Sequence, residues 1–334
     1  MAQLLAAAGR AAGRAPAMPR RHGYRLVRAQ RIGYADRDFP RDCLIRLIDF
    51  PDLLLRTGMR ETIKAGRSAL VVRAEVPIAG RMQAVAYKRV RRRTWLKTLT
   101  SFAQPNRALR AWRLGDELLA RGIATPRPLA VIVPRWFAFR RESWLATEWL
   151  EGACKLTAFL DGEARRTEFH SVRDAGPRDA GDASGVGRTG SPSYGEGQGG
   201  RTGSPSYGGS CRSRILAAAG CVGRLLGRMH AAGIAHRDLK ASNLLLGTAG
   251  GELRAWVIDL DGAAVQPRVS SGRRLRNLAR LVVGLAGRRE VTHTARLRFL
   301  RSYLNAAGDS PAAWKSTWRG LAELSRKLAA RKCR

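Results

Sequence analysis

Eight consecutive residues limit what this 334-residue chain can fold into: His236, Arg237, Asp238, Leu239, Lys240, Ala241, Ser242 and Asn243. Taken alone, an aspartate and an asparagine this close read as a turn that satisfies its own backbone. The surroundings argue for more. Residues 215–232 carry Leu216, Val222, Leu225, Leu226 and Met229 near helical spacing. Leu244–Leu246 and Trp256–Leu260 are short apolar runs that read as strands. The second run holds Asp259, sixteen residues past Asn243. A long helix, a polar loop and two strands with an acid at the far end form one chemical unit.

The eight residues fit H-R-D-L-x-x-x-N, the catalytic-loop pattern of kinases, at every specified position. Phosphoryl transfer needs a hydroxyl held in line with the γ-phosphate and cations to neutralise the phosphate oxygens. Asp238 would orient the acceptor hydroxyl or take its proton. Asn243 and Asp259 would offer oxygen ligands to Mg²⁺, a hard cation that prefers them. Lys240, two residues past Asp238, would reach the transferring phosphate. ATP and Mg²⁺ are the expected cofactors. A pseudokinase that keeps this loop without activity is the nearest alternative.

Such an enzyme also needs a strand lysine for the α- and β-phosphates. Lys88 ends Ala84–Lys88, which resembles the V-A-I-K context. Only eight of the 61 basic residues are lysine, so this placement is informative. A Gly-rich loop should precede it, but only Gly66, Arg67 and Ser68 occupy the place. Their backbone N–H groups would cap phosphates through a tight turn rather than through three glycines. An acidic partner for Lys88 stays unassigned: the helix over Ala108–Arg121 has Asp116 and Glu117 late in its length, and position 111 is Ala111.

Organisation follows from composition and punctuation. Ser68–Val76 and Met82–Val90 read as strands around Gly80, and Gly122 suits the cap of the helix. Val131–Phe139 and Ser143–Trp149 read as a hairpin around Arg140–Glu142. Arg274–Gly287, Thr294–Ala306 and Trp314–Lys332 read as helices. The expected fold is α+β and two-lobed, kinase-like, with a small β-rich N-lobe (41–152) and a larger helical C-lobe (153–334). Residues 1–40 are expected as a basic N-terminal tail. Residues 163–213 read as a disordered insertion, rich in Gly, Ser, Pro and Arg, in which 188–195 recur as 201–208. Gly195, Gly197 and Gly200 match GxGxxG there, but no strand precedes them and no helix follows, so no nucleotide site is assigned.

The net charge is +35. It excludes a globule indifferent to charge and favours an anionic partner: nucleic acid, anionic lipid or a phosphorylated substrate. Five cysteines without CxxC spacing argue for free thiols in a reducing compartment. No apolar stretch approaches a membrane span.

Together these residues resemble the lipopolysaccharide kinase family, the Kdo and heptose kinases of the inner core. Tyr87, Lys88 and Arg89 look like its third-strand motif. Arg110, Ala111 and Trp112, with Gly122–Ala130, look like its helix and following strand. His236–Asn243 with Ile258–Gly262 look like its catalytic loop and D-x-D metal motif, and Arg276–Leu281 with Arg296–Leu304 look like its C-terminal helices. The resemblance implies a sugar hydroxyl as acceptor. It puts Asp261 in the metal motif, where its role is either to cap the loop or to touch the metal. It puts Glu148–Leu150 at the hinge, where backbone groups of Glu148 and Leu150 would meet adenine.

The leading expectation is an ATP-dependent kinase acting on a lipid-linked sugar. It would be cytoplasmic and peripheral, its basic surface against an anionic membrane. A protein serine/threonine kinase would show an activation segment closing on A-P-E. After Gly262 the chain instead runs through Pro267 into a basic helix. A non-enzymatic nucleic-acid or anionic-lipid binder is the reading from another class, prompted by the runs 89–93 and 326–334. Arginine is scattered along the whole chain, which weighs against it.

Overall fold

The computed structural model describes residues 23–28, 30–56, 61–65, 69–91, 106–135, 142–163 and 210–332. The N-terminal half builds a seven-stranded antiparallel sheet from β1 (Gly23–Val27), β2 (Arg31–Asp36), β3 (Glu61–Ala65), β4 (Ala69–Ile78), β5 (Arg81–Val90), β6 (Pro128–Pro134) and β7 (Ser143–Glu148), in the order β1-β2-β6-β7-β5-β4-β3. Ala79 and Gly80, both at positive φ, close the β4–β5 hairpin with Ile78 opposite Arg81. That is the turn geometry whose twist matches paired strands.

Helices α1 (Arg41–Asp49) and α2 (Leu53–Arg56) lie in this half. Leu44, Leu47 and Ile48 of α1 are buried with Ala35, Val72, Ile78, Tyr87 and Ile132 of the sheet. Helix α3 (Arg107–Ala120) crosses beside β6. Asn106 caps it by accepting from the N–H groups of Ala108 and Leu109. Gly122, at φ +70°, turns the chain out of it.

The C-terminal half is mainly helical: β8 (Cys154–Lys155), α4 (156–163), α5 (Cys211–Ala231), β9 (Ile234–His236), β10 (Leu244–Ala249), β11 (Glu252–Val257), β12 (Ala263–Val265), α6 (Ser271–Gly284), α7 (His293–Ala307) and α8 (Trp314–Lys332). Helix α5 packs along α7 so closely that a Cβ at Gly227 would stand 2.5 Å from the Tyr303 carbonyl oxygen. One apolar cluster runs from Trp112 and Leu118 of α3 into α5, β10, β11 and α7. It joins the two halves behind the catalytic loop.

The α+β, two-part expectation agrees with this arrangement, and three boundaries need correction. Gly23–Val27 and Arg31–Asp36 lie within the stretch expected to be a tail, yet they form β1 and β2. Tyr34 and Ala35 are buried, and the Tyr24 hydroxyl donates to the Phe39 carbonyl at 2.6 Å. Apolar side chains alternate with the arginines, and the charge count hid that alternation. The N-lobe therefore begins by residue 23, not 41. At the far side of the expected insertion, Cys211–Ser213 form the first turn of α5, with Ser210 as its cap. The rest of that insertion, the GxGxxG match within it, and residues 1–22 lie outside the described residues. The strand expected over Trp256–Leu260 stops at Val257, because Asp259 adopts left-handed backbone angles, φ 61° and ψ 51°. Among the described residues no helix is long and apolar enough to cross a membrane.

Candidate active site

The catalytic loop is suspended between two short strand pairings. β9 pairs antiparallel with β12, His236 opposite Ala263. β10 begins directly after Asn243 and pairs with β11, Leu244 opposite Val257. The Arg237 N–H donates to the Gly262 carbonyl at 2.9 Å, and the Ile258 N–H to the Asn243 carbonyl at 2.9 Å. The loop bearing Asp238 and the loop bearing Asp259 are thereby laced together by main chain.

Within the loop, Asn243 is buried and its Nδ2 donates to the Asp238 carbonyl at 2.9 Å. This bond orients the amide and leaves Oδ1 for another partner. Lys240 Nζ lies 2.7 Å from Asp238 Oδ2, an ion pair with both side chains about half exposed. Both groups thus face solvent.

Lys88 stands on β5, opposite Leu145 of β7 and Val71 of β4. Its Nζ meets Asp259 Oδ1 at 2.5 Å, across 171 residues of sequence. The sheet lysine and the loop aspartate therefore meet at one point. Asp261 faces elsewhere: its Oδ2 lies 2.6 Å from Arg107 Nη2, and Arg110 donates to its main-chain carbonyl. On α3, Glu117 is paired with Arg121, and Asp116 is buried. At the hinge, the Glu148 N–H donates to the Arg127 carbonyl and the Trp149 N–H to the Ala84 carbonyl, while the Leu150 carbonyl accepts from Ala153. Gly66, Arg67 and Ser68, expected over the phosphates, lie outside the described residues.

Asn277 and His230 escaped the sequence reading. Asn277 of α6 is buried, and its Oδ1 accepts from the His236 main-chain N–H at 3.0 Å. The same oxygen stands 3.2 Å from His230 Nε2. His230 Nδ1 in turn meets the Tyr303 hydroxyl at 3.0 Å. Burial pushes the His230 imidazole down to about 4, against the raising effect of the Asn277 bond. Burial also lowers the His236 pKa, and its ring is fully enclosed. Arg280 of α6 completes this backing by donating to the Arg237 carbonyl. The only signal in the sequence was a lone amide on an otherwise apolar and arginine-rich helical stretch.

The donor chemistry at Asn243 and Asp259 fits Mg²⁺: one amide oxygen and one carboxylate on adjoining, hydrogen-bonded segments. Mg²⁺ is commonly held by one or two carboxylates with substrate phosphates and water completing the shell. No group of three or more His, Cys, Asp or Glu side chains suited to a metal exists among the described residues.

The model of the lipopolysaccharide kinase (Kdo/WaaP) family matches residues 204–303. The 3-deoxy-D-manno-octulosonic acid kinases of Xylella fastidiosa strains M12 and 9a5c are 27% identical over 179 residues, covering 54% of this chain and 50% of theirs. The chain thus spans about half the length of the curated relatives it matches. A solved structure described as WaaP in complex with acyl carrier protein aligns with a TM-score of 0.51 and 20% identity, covering 81% of this chain and 88% of that one. That likeness shows a shared fold.

Proposed function

We propose, for a chain whose motifs and matches support the lipopolysaccharide kinase family, that it transfers the γ-phosphate of ATP to a hydroxyl of a lipid-linked sugar. The observation that carries this reading is the meeting of Lys88 with Asp259 beside a complete catalytic loop. Asp238 takes the proton as the sugar oxygen bonds to the γ-phosphorus and the bond from that phosphorus to ADP breaks. In this reading Lys88 leaves Asp259 for the α- and β-phosphates when nucleotide enters. Lys240, now paired with Asp238, screens the charge of the incoming phosphate. Asn243 and Asp259 would hold Mg²⁺, which would supply charge to neutralise the phosphate oxygens. The hinge engages adenine through backbone groups of Glu148 and Leu150.

The acceptor and its location rest on the family and on charge. A lipid-linked sugar lies at a membrane face, and a net charge of +35 draws the chain to anionic headgroups. The enzyme would then work on the cytoplasmic side as a peripheral protein. The test offers γ-labelled ATP and Mg²⁺ with a glycolipid extract, a protein mixture and nucleic acid in separate reactions. Label in the glycolipid fraction is the expected result. Label in protein alone would reject the sugar acceptor in favour of a protein kinase. ATP left intact in every reaction would reject phosphotransfer.

A further inference from the structure

Helix α3 opens with charges that its own stability disfavours. Arg107 and Arg110 stand at its start, and its first turn holds no acidic residue. The positive end of a helix favours carboxylates there. Arginines kept in such a place need a partner beyond the helix, and both reach the loop after Asp259. Arg107 binds the Asp261 carboxylate at 2.6 Å, and Arg110 binds the carbonyl of the same residue. The loop's two acids thus answer to two elements of the N-lobe: Asp259 to Lys88 of the sheet, and Asp261 to α3. Ala111 is too short to reach anything from the same turn, and Glu117 is committed to Arg121.

We propose that Arg107 and Arg110 are positioning residues that set the 259–261 loop from α3, so that Asp261 anchors the loop and is not a cation ligand. The inference rests on the phosphotransfer reading. The arginine fork suits this work because its planar donors fix direction as well as distance. Asp261 follows Asp259 by two residues, and Asp259 is held at left-handed backbone angles. A grip on Asp261 therefore fixes the direction of the Asp259 carboxylate. The Arg107 side chain is 54% exposed, so the pair adds little to stability. Its effect falls on geometry.

The experiment compares the full-length chain with Arg107→Ala, Arg107→Lys, Asp261→Asn and the exchange Arg107→Asp with Asp261→Arg. Arg107→Ala and Asp261→Asn should each lower kcat about ten-fold or more and leave the KM for ATP within about two-fold. Arg107→Lys should fall between, and it replaces Arg107→Ala if that variant does not fold. The exchange should regain most of the loss. A second readout needs no turnover: Mn²⁺ binding to the ADP complex, followed by electron paramagnetic resonance. Asp261→Asn should keep that affinity within about two-fold, and Asp259→Asn should lose about ten-fold. Equal losses for both variants, or an exchange no better than either single change, would overturn the proposal. Wild-type protein that binds no Mn²⁺ and ADP at all would sink the phosphotransfer reading, and this inference with it.

Discussion

Behind the catalytic loop the chain is held by buried hydrogen bonds among Asn277, His230 and Tyr303; around Lys88 and Asp261 it is held by partly exposed ion pairs. Asn277, His230 and Tyr303 form the first set, all deep in the helical half. Lys88–Asp259 and Arg107–Asp261 form the second, and both span the two halves. Buried polar networks in low dielectric are strong and insensitive to salt. Partly exposed ion pairs are weaker and are screened within about 10 Å at 0.1 M salt. In the proposed reaction Asp238, as proton acceptor, thus rests on a rigid base, Lys88 keeps a partner it can exchange for nucleotide, and Arg107 keeps Asp261 in place.

Acid should break the rigid side first. His230 stays neutral in the folded chain down to about pH 4, while the unfolded chain takes its proton near pH 6.5. Stability present above pH 6.5 is therefore lost as pH falls toward 4, by about 3 kcal/mol in full. His236 shifts in the same direction. Urea unfolding at pH 7 and pH 4.5 checks this, and His230→Gln should flatten the dependence. Next, Asn277→Leu leaves the His236 N–H unpaired in the interior, at about 2–3 kcal/mol. The loss should be the same at low and high salt; a salt-dependent loss would mean that the buried set is held by charge after all. On the open side, Lys88→Met should lower kcat about 100-fold. The same change should move stability by no more than about 1 kcal/mol, because the pair it breaks is partly exposed. Smallest of all, Glu148→Ala should change the KM for ATP less than about two-fold, since the hinge reading uses backbone groups.

The same division decides what was legible in the sequence. The catalytic loop is contiguous, so His236–Asn243 declared itself, and β4, β5, α3, α5 and α8 followed from alternation, helical spacing and turn residues. Lys88 was legible because lysine is rare here and stands in an apolar strand. Asn277 was not: its partner lies 41 residues away, and an amide on an arginine-rich helix carries no spacing signal. Arg107 was one among 53 arginines, and Arg110 stood in the family resemblance without a role; only the tertiary contact with Asp261 gives both a purpose. β1 and β2 were missed because a stretch crowded with arginine reads as solvated, although Tyr24, Leu26, Ile32 and Tyr34 supply the alternation. The net charge of +35 is shared among many such local uses, which makes it a poor guide to the partner on its own.

In the proposed reaction Asp238 takes the proton on a frame that does not need it for folding. Its side chain is 59% exposed, and the Asn243 amide that touches it at 3.5 Å keeps its 2.9 Å bond to the Asp238 carbonyl, so removing it should cost little stability. The direct measurement is the rate of label transfer from γ-labelled ATP to glycolipid by wild-type and Asp238→Ala protein, alongside their urea midpoints. A rate lower by about 1,000-fold or more, with midpoints that agree, is the expected result. Unchanged transfer by Asp238→Ala would contradict it.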